Sequence, residues 1–130
     1  MFEKILVPLD GSELAEIALE PALRLAEKFN GEVILLRVAE PEEALAEAYL
    51  GELCLNKARA GVRLQTEVAA GAPPQAIVEV ADARQVDLII MSTHGRSGLS
   101  RLIYGSVAEA VLRGAQRPVM IVPSQFAGSR

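Results

Sequence analysis

Short apolar runs alternate along this chain with longer stretches in which apolar residues recur every three or four positions. Lys4-Ile5-Leu6-Val7-Pro8-Leu9 is the first run, and its lack of a polar face predicts a strand covered on both sides. It ends at Asp10-Gly11-Ser12, where Ser12 is placed to cap a helix whose positive first turn holds Glu13 and Glu16. Leu14, Ala18, Ala22, Leu25 and Phe29 form one helical stripe, with a solvent-side bend expected at Pro21 and a stop at Asn30-Gly31. Glu32 through Ala39 reads as the second strand. Residues 42–59, rich in Ala, Glu and Leu, predict a second helix weakened around Gly51 and ended by Gly61. Val62 through Val68 alternates apolar with polar, as expected of an edge strand with one wetter face. Pro73-Pro74 opens a third helix carrying Ile77, Val80 and Ala81, and Val86 through Met91 is the next strand, the most buried in character. A helix from about Ser106 to Arg113 presents Val107, Ala110 and Val111, and Pro118 through Val122 is the last strand.

Strict strand–helix alternation predicts parallel strands joined by right-handed crossovers, an α/β fold with helices on both faces of the sheet. In such open sheets the ligand crevice lies beyond the carboxyl ends of the strands, where the strand order reverses. Three loops therefore matter most: Asp10-Gly11-Ser12, the end of the second strand at Val38-Ala39, and the long loop from Ser92 to Gly105. No repeat, low-complexity tract or linker divides the chain, so residues 1–130 are expected to form one domain.

Composition narrows the function. The chain is 51% hydrophobic but only 4% aromatic, as suits small aliphatic side chains packed between layers. A formal net charge of −4 without a basic face argues against nucleic acid or an anionic membrane as partner. No apolar run reaches the ~20 residues of a membrane span. The first strand begins at once, without the layout of a signal peptide, and a cytoplasmic location is expected. The one cysteine, Cys54, reads as a small apolar helix residue.

Chemistry concentrates in residues 92–106. Gly95, Gly98 and Gly105 permit turns that aim successive N–H groups into one cavity, and Gly105-Ser106 starts a helix whose dipole favours an anion. Ser92, Thr93, Ser97, Ser100 and Ser106 add hydroxyl groups, while His94, Arg96 and Arg101 add actual or potential positive charge. No Asp or Glu occurs from Leu88 through Ala108 in this otherwise acidic chain. The pattern outlines a phosphate site, although any exposed strand-to-helix loop also favours glycine and serine. It is neither a Walker A loop nor a dinucleotide GxGxxG.

The passage VPLDGS at Val7–Ser12, the run MSTHGRSGLSRLIYGSVAEAVL at Met91–Leu112 and the closing RPVMIVP together resemble the universal stress protein family over nearly the whole chain. The nucleotide-binding branch of that family carries Gly, two residues, Gly, nine residues, then Gly and Ser or Thr. Gly95 and Gly105-Ser106 match, but Ser92 replaces the first glycine, which puts nucleotide binding in question if that position needs φ > 0 or close approach to phosphate. The resemblance implies an open five-stranded parallel sheet of order 3-2-1-4-5, similar to the adenine-nucleotide α-hydrolase fold, and a homodimer through the last strand. It places Pro8 and Asp10 beside the adenosine of ATP and Val38 at the adenine. Ser92, Thr93, His94, Gly95, Arg96, Ser97 and Gly98, with Gly105, Ser106, Val107 and Ala108, would hold the ribose and phosphates. Mg²⁺ or Mn²⁺ would ride on those phosphates rather than in a protein site. Asp10 meets the ribose or a metal-bound water, or else merely caps the first helix; Arg96 clamps a terminal phosphate or lies in solvent.

The function implied is a cytoplasmic ATP-binding regulatory or protective protein with an unknown signalling partner. The alternative is a dimeric interaction module of the same fold that binds no nucleotide. Catalysis beyond slow ATP hydrolysis has little support. His94 has no carboxylate near it in sequence to complete a catalytic set, and the first strand lacks the SGGxDS loop of adenylating relatives. A phospho-acceptor receiver would need an Asp after the third strand and a Lys after the last, and both are missing.

Overall fold

Continuous apolar runs become strands buried on both faces in the computed structural model, which describes residues 2–38, 43–92 and 106–123. Strand β1 (Lys4–Leu9) is buried from Ile5 onward, β2 (Glu32–Val38) from Val33 to Leu36, and β4 (Leu88–Ser92) throughout. With β3 (Arg63–Ala69) and β5 (Val119–Val122) they form one parallel sheet of order β3-β2-β1-β4-β5, as the resemblance implies.

The faces separate cleanly. On one side Ile5, Val7, Leu9, Val33, Leu35 and Ile90 pack under α1 (Leu19–Phe29) and α2 (Glu43–Lys57). On the other, Leu6, Ile34, Leu36, Ile89 and Met91 pack under α3 (Pro73–Arg84) and α4 (Ser106–Gly114). Period-two alternation sends neighbouring residues of each strand into different layers. Among the described residues no helix is long and apolar enough to cross a membrane.

Four details differ from the pattern read in the sequence. The first helix does not run unbroken from Ser12: Ala15–Ala18 is a 3₁₀ turn, and α1 starts only at Leu19. Pro21 explains this, because it has no N–H to give to Ile17 and fits the first turn of a helix, where donors lack partners anyway. The tighter turn shifts the buried stripe to Ala15, Ala18, Leu19, Ala22, Leu23 and Ala26, leaving Leu14 half-buried and Phe29 exposed against the edge of Phe2. Helix α2 passes through Gly51 without a break, since that residue faces open space. In α4 the buried residues are Ala108 and Val111, with Val107 and Ala110 half-buried. Finally, Asn30 rather than Gly31 takes the left-handed position at the end of α1, with φ 52°.

Strand β3 is the expected edge. Val62, Leu64 and Val68 reach the core, while Gln65 donates to Glu32 at 2.7 Å, and Arg84 donates to Gln65 at 2.9 Å and pairs with Glu67. A polar lattice of this kind discourages a further strand from adding there. At the opposite end of the strands, the Asp87 carboxylate accepts from the amides of Glu3 and Lys4, and Lys4 Nζ donates to the Arg84 carbonyl. These contacts tie the start of β1 to the start of β4.

Candidate functional site

The seam between β1 and β4 is where the strand order reverses, and Pro8 governs how far its hydrogen-bond ladder runs. Lys4 O accepts from the Asp87 amide and the Lys4 amide donates to the Asp87 side chain, so even-numbered β1 residues turn their backbone polar groups toward β4. Pro8 lies on that side without an N–H to give. The pairing with β4 runs only Ile5↔Leu88 and Leu6↔Ile89, whereas β1 stays paired with β2 through Leu9↔Arg37. By the same register Leu9 stands level with Ser92, the last residue of β4. The ladder between β1 and β4 therefore stops at Pro8, and the carboxyl end of this seam is the position at which doubly wound folds bind ligands.

Asp10, Gly11 and Ser12 form the β1 lip. Asp10 Oδ1 accepts from the Ser12 amide at 3.0 Å and from Ser12 Oγ at 2.6 Å. Ser12 Oγ in turn accepts from the Ala15 amide at 3.1 Å. The cap is thus Ser12, as expected, and Asp10 acts one step back by fixing the serine. Gly11 makes the turn possible with φ +89°.

Ser92 forms the β4 lip. It is buried, pairs with Val122 and does not have positive φ, so the position occupied by glycine in the nucleotide-binding pattern makes no left-handed demand on this serine. A crossover helix runs antiparallel to the strands it joins, so Ser106, the exposed first residue of α4, stands at the same edge. The free amides of that first turn belong to Ser106, Val107 and Ala108. Val38, half-buried at the end of β2, packs on the α3–α4 side of the sheet, the side to which Pro8 belongs by alternation. Pro8, Asp10, Val38, Ser92, Ser106, Val107 and Ala108 therefore all belong to the carboxyl edge or to the helix that starts there. Thr93, His94, Gly95, Arg96, Ser97, Gly98 and Gly105 lie outside the described residues.

Reading the sequence missed a second layer beneath the β1 lip. Arg37 points opposite to Val38, and its guanidinium lies against Gly11: a Cβ on that glycine would sit 2.8 Å from Nη1 and 3.2 Å from Cζ. Arg37 Cζ is also 5.4 Å from the centre of the Tyr49 ring, a cation–π contact from α2. Tyr49 donates its hydroxyl to Glu16 at 2.5 Å. Burial raises the tyrosine pKa, and this hydrogen bond and the Glu16 charge raise it further, so Tyr49 remains a neutral donor. The only hint in the sequence was one arginine at the end of an otherwise apolar strand.

Among the described residues no three His, Cys, Asp or Glu side chains gather as a metal site. Burial raises the Cys54 thiol, in keeping with its reading as an apolar helix residue.

Comparison with known proteins agrees with this architecture. The family model described as the universal stress protein family matches residues 1–123. Universal stress protein MJ0531 of Methanocaldococcus jannaschii is 34% identical, over 94% of this chain and 82% of its own length. Among solved structures, that of the MJ0577 protein superposes with a TM-score of 0.74 at 34% identity, covering 95% of this chain and 96% of the other. A universal stress protein in complex with cAMP superposes with a TM-score of 0.79 at 29% identity, covering 95% and 98%.

Proposed function

The chain belongs to the universal stress protein family, and from that premise we propose that it binds an adenine nucleotide, ATP above all, at the β1–β4 seam and acts in the cytoplasm as a regulatory or protective protein. The observation that carries this reading is the topological switch point, where β1 lies between β2 and β4 and its ladder with β4 stops at Pro8. Asp10, Ser92 and the start of α4 all stand at the carboxyl edge of that seam. The relative solved with cAMP supports the adenine nucleotide as ligand class. Serine at position 92 is compatible with it, because an extended serine brings a hydroxyl and strains nothing.

The phosphates belong at the N-terminal turn of α4, where backbone amides and the helix dipole favour negative charge. Val38 and Pro8 offer apolar surface to the base, and the Asp10 carboxylate is the acceptor for a ribose hydroxyl. Mg²⁺ or Mn²⁺ travels on the phosphates with its waters. Slow hydrolysis is the most that this set of residues would support. The expected result is direct: ATP at about 100 times its Kd stabilises the fold by roughly 2.7 kcal/mol. Thermal melts with and without Mg-ATP, beside equilibrium dialysis with labelled nucleotide, check it. No shift and no uptake would leave the second reading, an interaction module that binds no nucleotide.

Both readings include a homodimer through β5. This strand ends the sheet, with Met120 40% and the neighbouring helix residue Leu112 39% exposed, and an apolar edge of this kind invites pairing. Light scattering at tens of micromolar is expected to give twice the chain mass, and Met120→Lys to shift it toward the monomer. A wild-type monomer at that concentration refutes the dimer.

A further inference from the structure

The Gly11–Arg37–Tyr49 stack has no part in the function so far proposed, and its geometry is specific. The guanidinium fills the space where a side chain on residue 11 would stand, and it lies between the backbone of the Asp10–Ser12 turn and the face of Tyr49. The contacts of Arg37 include these two surfaces. Tyr49 is held in turn by Glu16, which belongs to the 3₁₀ turn that Ser12 caps. The contacts close a loop from β1 through the capped turn and α2 to β2 and back to Gly11. A guanidinium held over an aromatic ring is a planar cation in a cation–π contact, and lysine does not reproduce that shape.

We propose that Arg37 is a positioning residue for the nucleotide site: stacked on Tyr49, it is the floor that sets the height of the Asp10–Ser12 turn and thereby the placement of the Asp10 carboxylate. The proposal deepens the nucleotide-binding reading and rests on it for its effect on affinity. Its effect on the turn itself needs no ligand. Arg37 points to the α1–α2 side of the sheet, away from Val38 on the α3–α4 side, so it acts through Asp10 and not on the phosphates.

The experiment uses the full chain with Arg37→Met, which keeps an unbranched stem, and with the exposed control Glu79→Gln. Without nucleotide, amide hydrogen exchange at Ser12 and Ala15 is expected to quicken about tenfold in Arg37→Met, while the buried Ile34 amide keeps its wild-type rate. With nucleotide, Kd should weaken by about tenfold for adenosine, AMP and ATP alike, since a misplaced carboxylate affects what all three share. Asp10→Asn should weaken adenosine binding in the wild-type background and add little once Arg37 is gone, a non-additivity that general loss of stability does not produce. Unchanged exchange at Ser12 overturns the proposal. So does a loss of affinity confined to ATP, which would place Arg37 on the phosphates. Faster exchange in a protein whose wild type binds none of the three ligands keeps the floor and rejects the nucleotide reading.

Discussion

Gly31→Val is expected to destabilise the fold by at least about 3 kcal/mol, a fall of roughly 10 °C in melting temperature for a domain of this size. Gly31 is buried, and a Cβ there would lie 2.4 Å from the carbonyl oxygen of Glu3 and 2.9 Å from its carbon. That carbonyl cannot retreat freely, because it accepts from the Glu32 amide at 2.7 Å at the start of the β1–β2 ladder. Gly31 itself donates to Ala26 and accepts from Arg63, so the end of α1 and the start of β3 are anchored to its backbone. The penalty is steric, since Gly31 does not adopt positive φ. Gly61 gives the contrast. It has φ +84° and open space around it, so Gly61→Ala should cost only about 1 kcal/mol of backbone strain. Thermal melts of both variants check the argument, and equal losses would mean that crowding at Glu3 is not what demands glycine.

Gly105→Val carries the largest expected effect on binding, about a hundredfold loss of ATP affinity, or roughly 2.7 kcal/mol. If phosphates sit at the start of α4, their oxygens meet its first backbone amides with little room for a branched side chain just before Ser106. Ser106→Ala removes one hydroxyl and should cost on the order of 1 kcal/mol, several-fold in Kd. Glu79→Gln, on the exposed side of α3, should change neither affinity nor melting temperature. If the glycine serves folding alone, Gly105→Val melts lower but binds ATP as the wild type does at temperatures where it is folded. Dialysis and melts on the three variants separate these outcomes, and wild-type affinity in folded Gly105→Val removes the phosphates from the start of α4.

The local elements were legible because their causes are local. Ile5 through Leu9 and Leu88 through Met91 had to be strands covered on both faces, since no polar residue in either run could face water. The alternating β3 announced its own edge position, and Pro73-Pro74 announced the start of α3. The strand order was different: alternation of elements implies parallel pairing, but the arrangement 3-2-1-4-5 came from family resemblance.

What stayed hidden depends on who the neighbours are. Pro8 read as part of the first strand, placed beside the adenosine by resemblance alone. Only the pairing of β1 with β4 shows that its missing N–H falls on the switch-point seam and ends the ladder there. Asn30-Gly31 read as an ordinary helix stop, whereas the left-handed turn belongs to Asn30 and the glycine is demanded by Glu3 from another strand. Arg37 drew no reading of its own from the sequence; β2 places it against Gly11 and α2 brings Tyr49 to it. Periodicity and caps report the forces a residue meets within a turn or two of chain. A close approach between backbones, a ladder that stops short and a guanidinium stacked between two elements arise from segments distant in sequence, so their placement was decided by the packing of the layers.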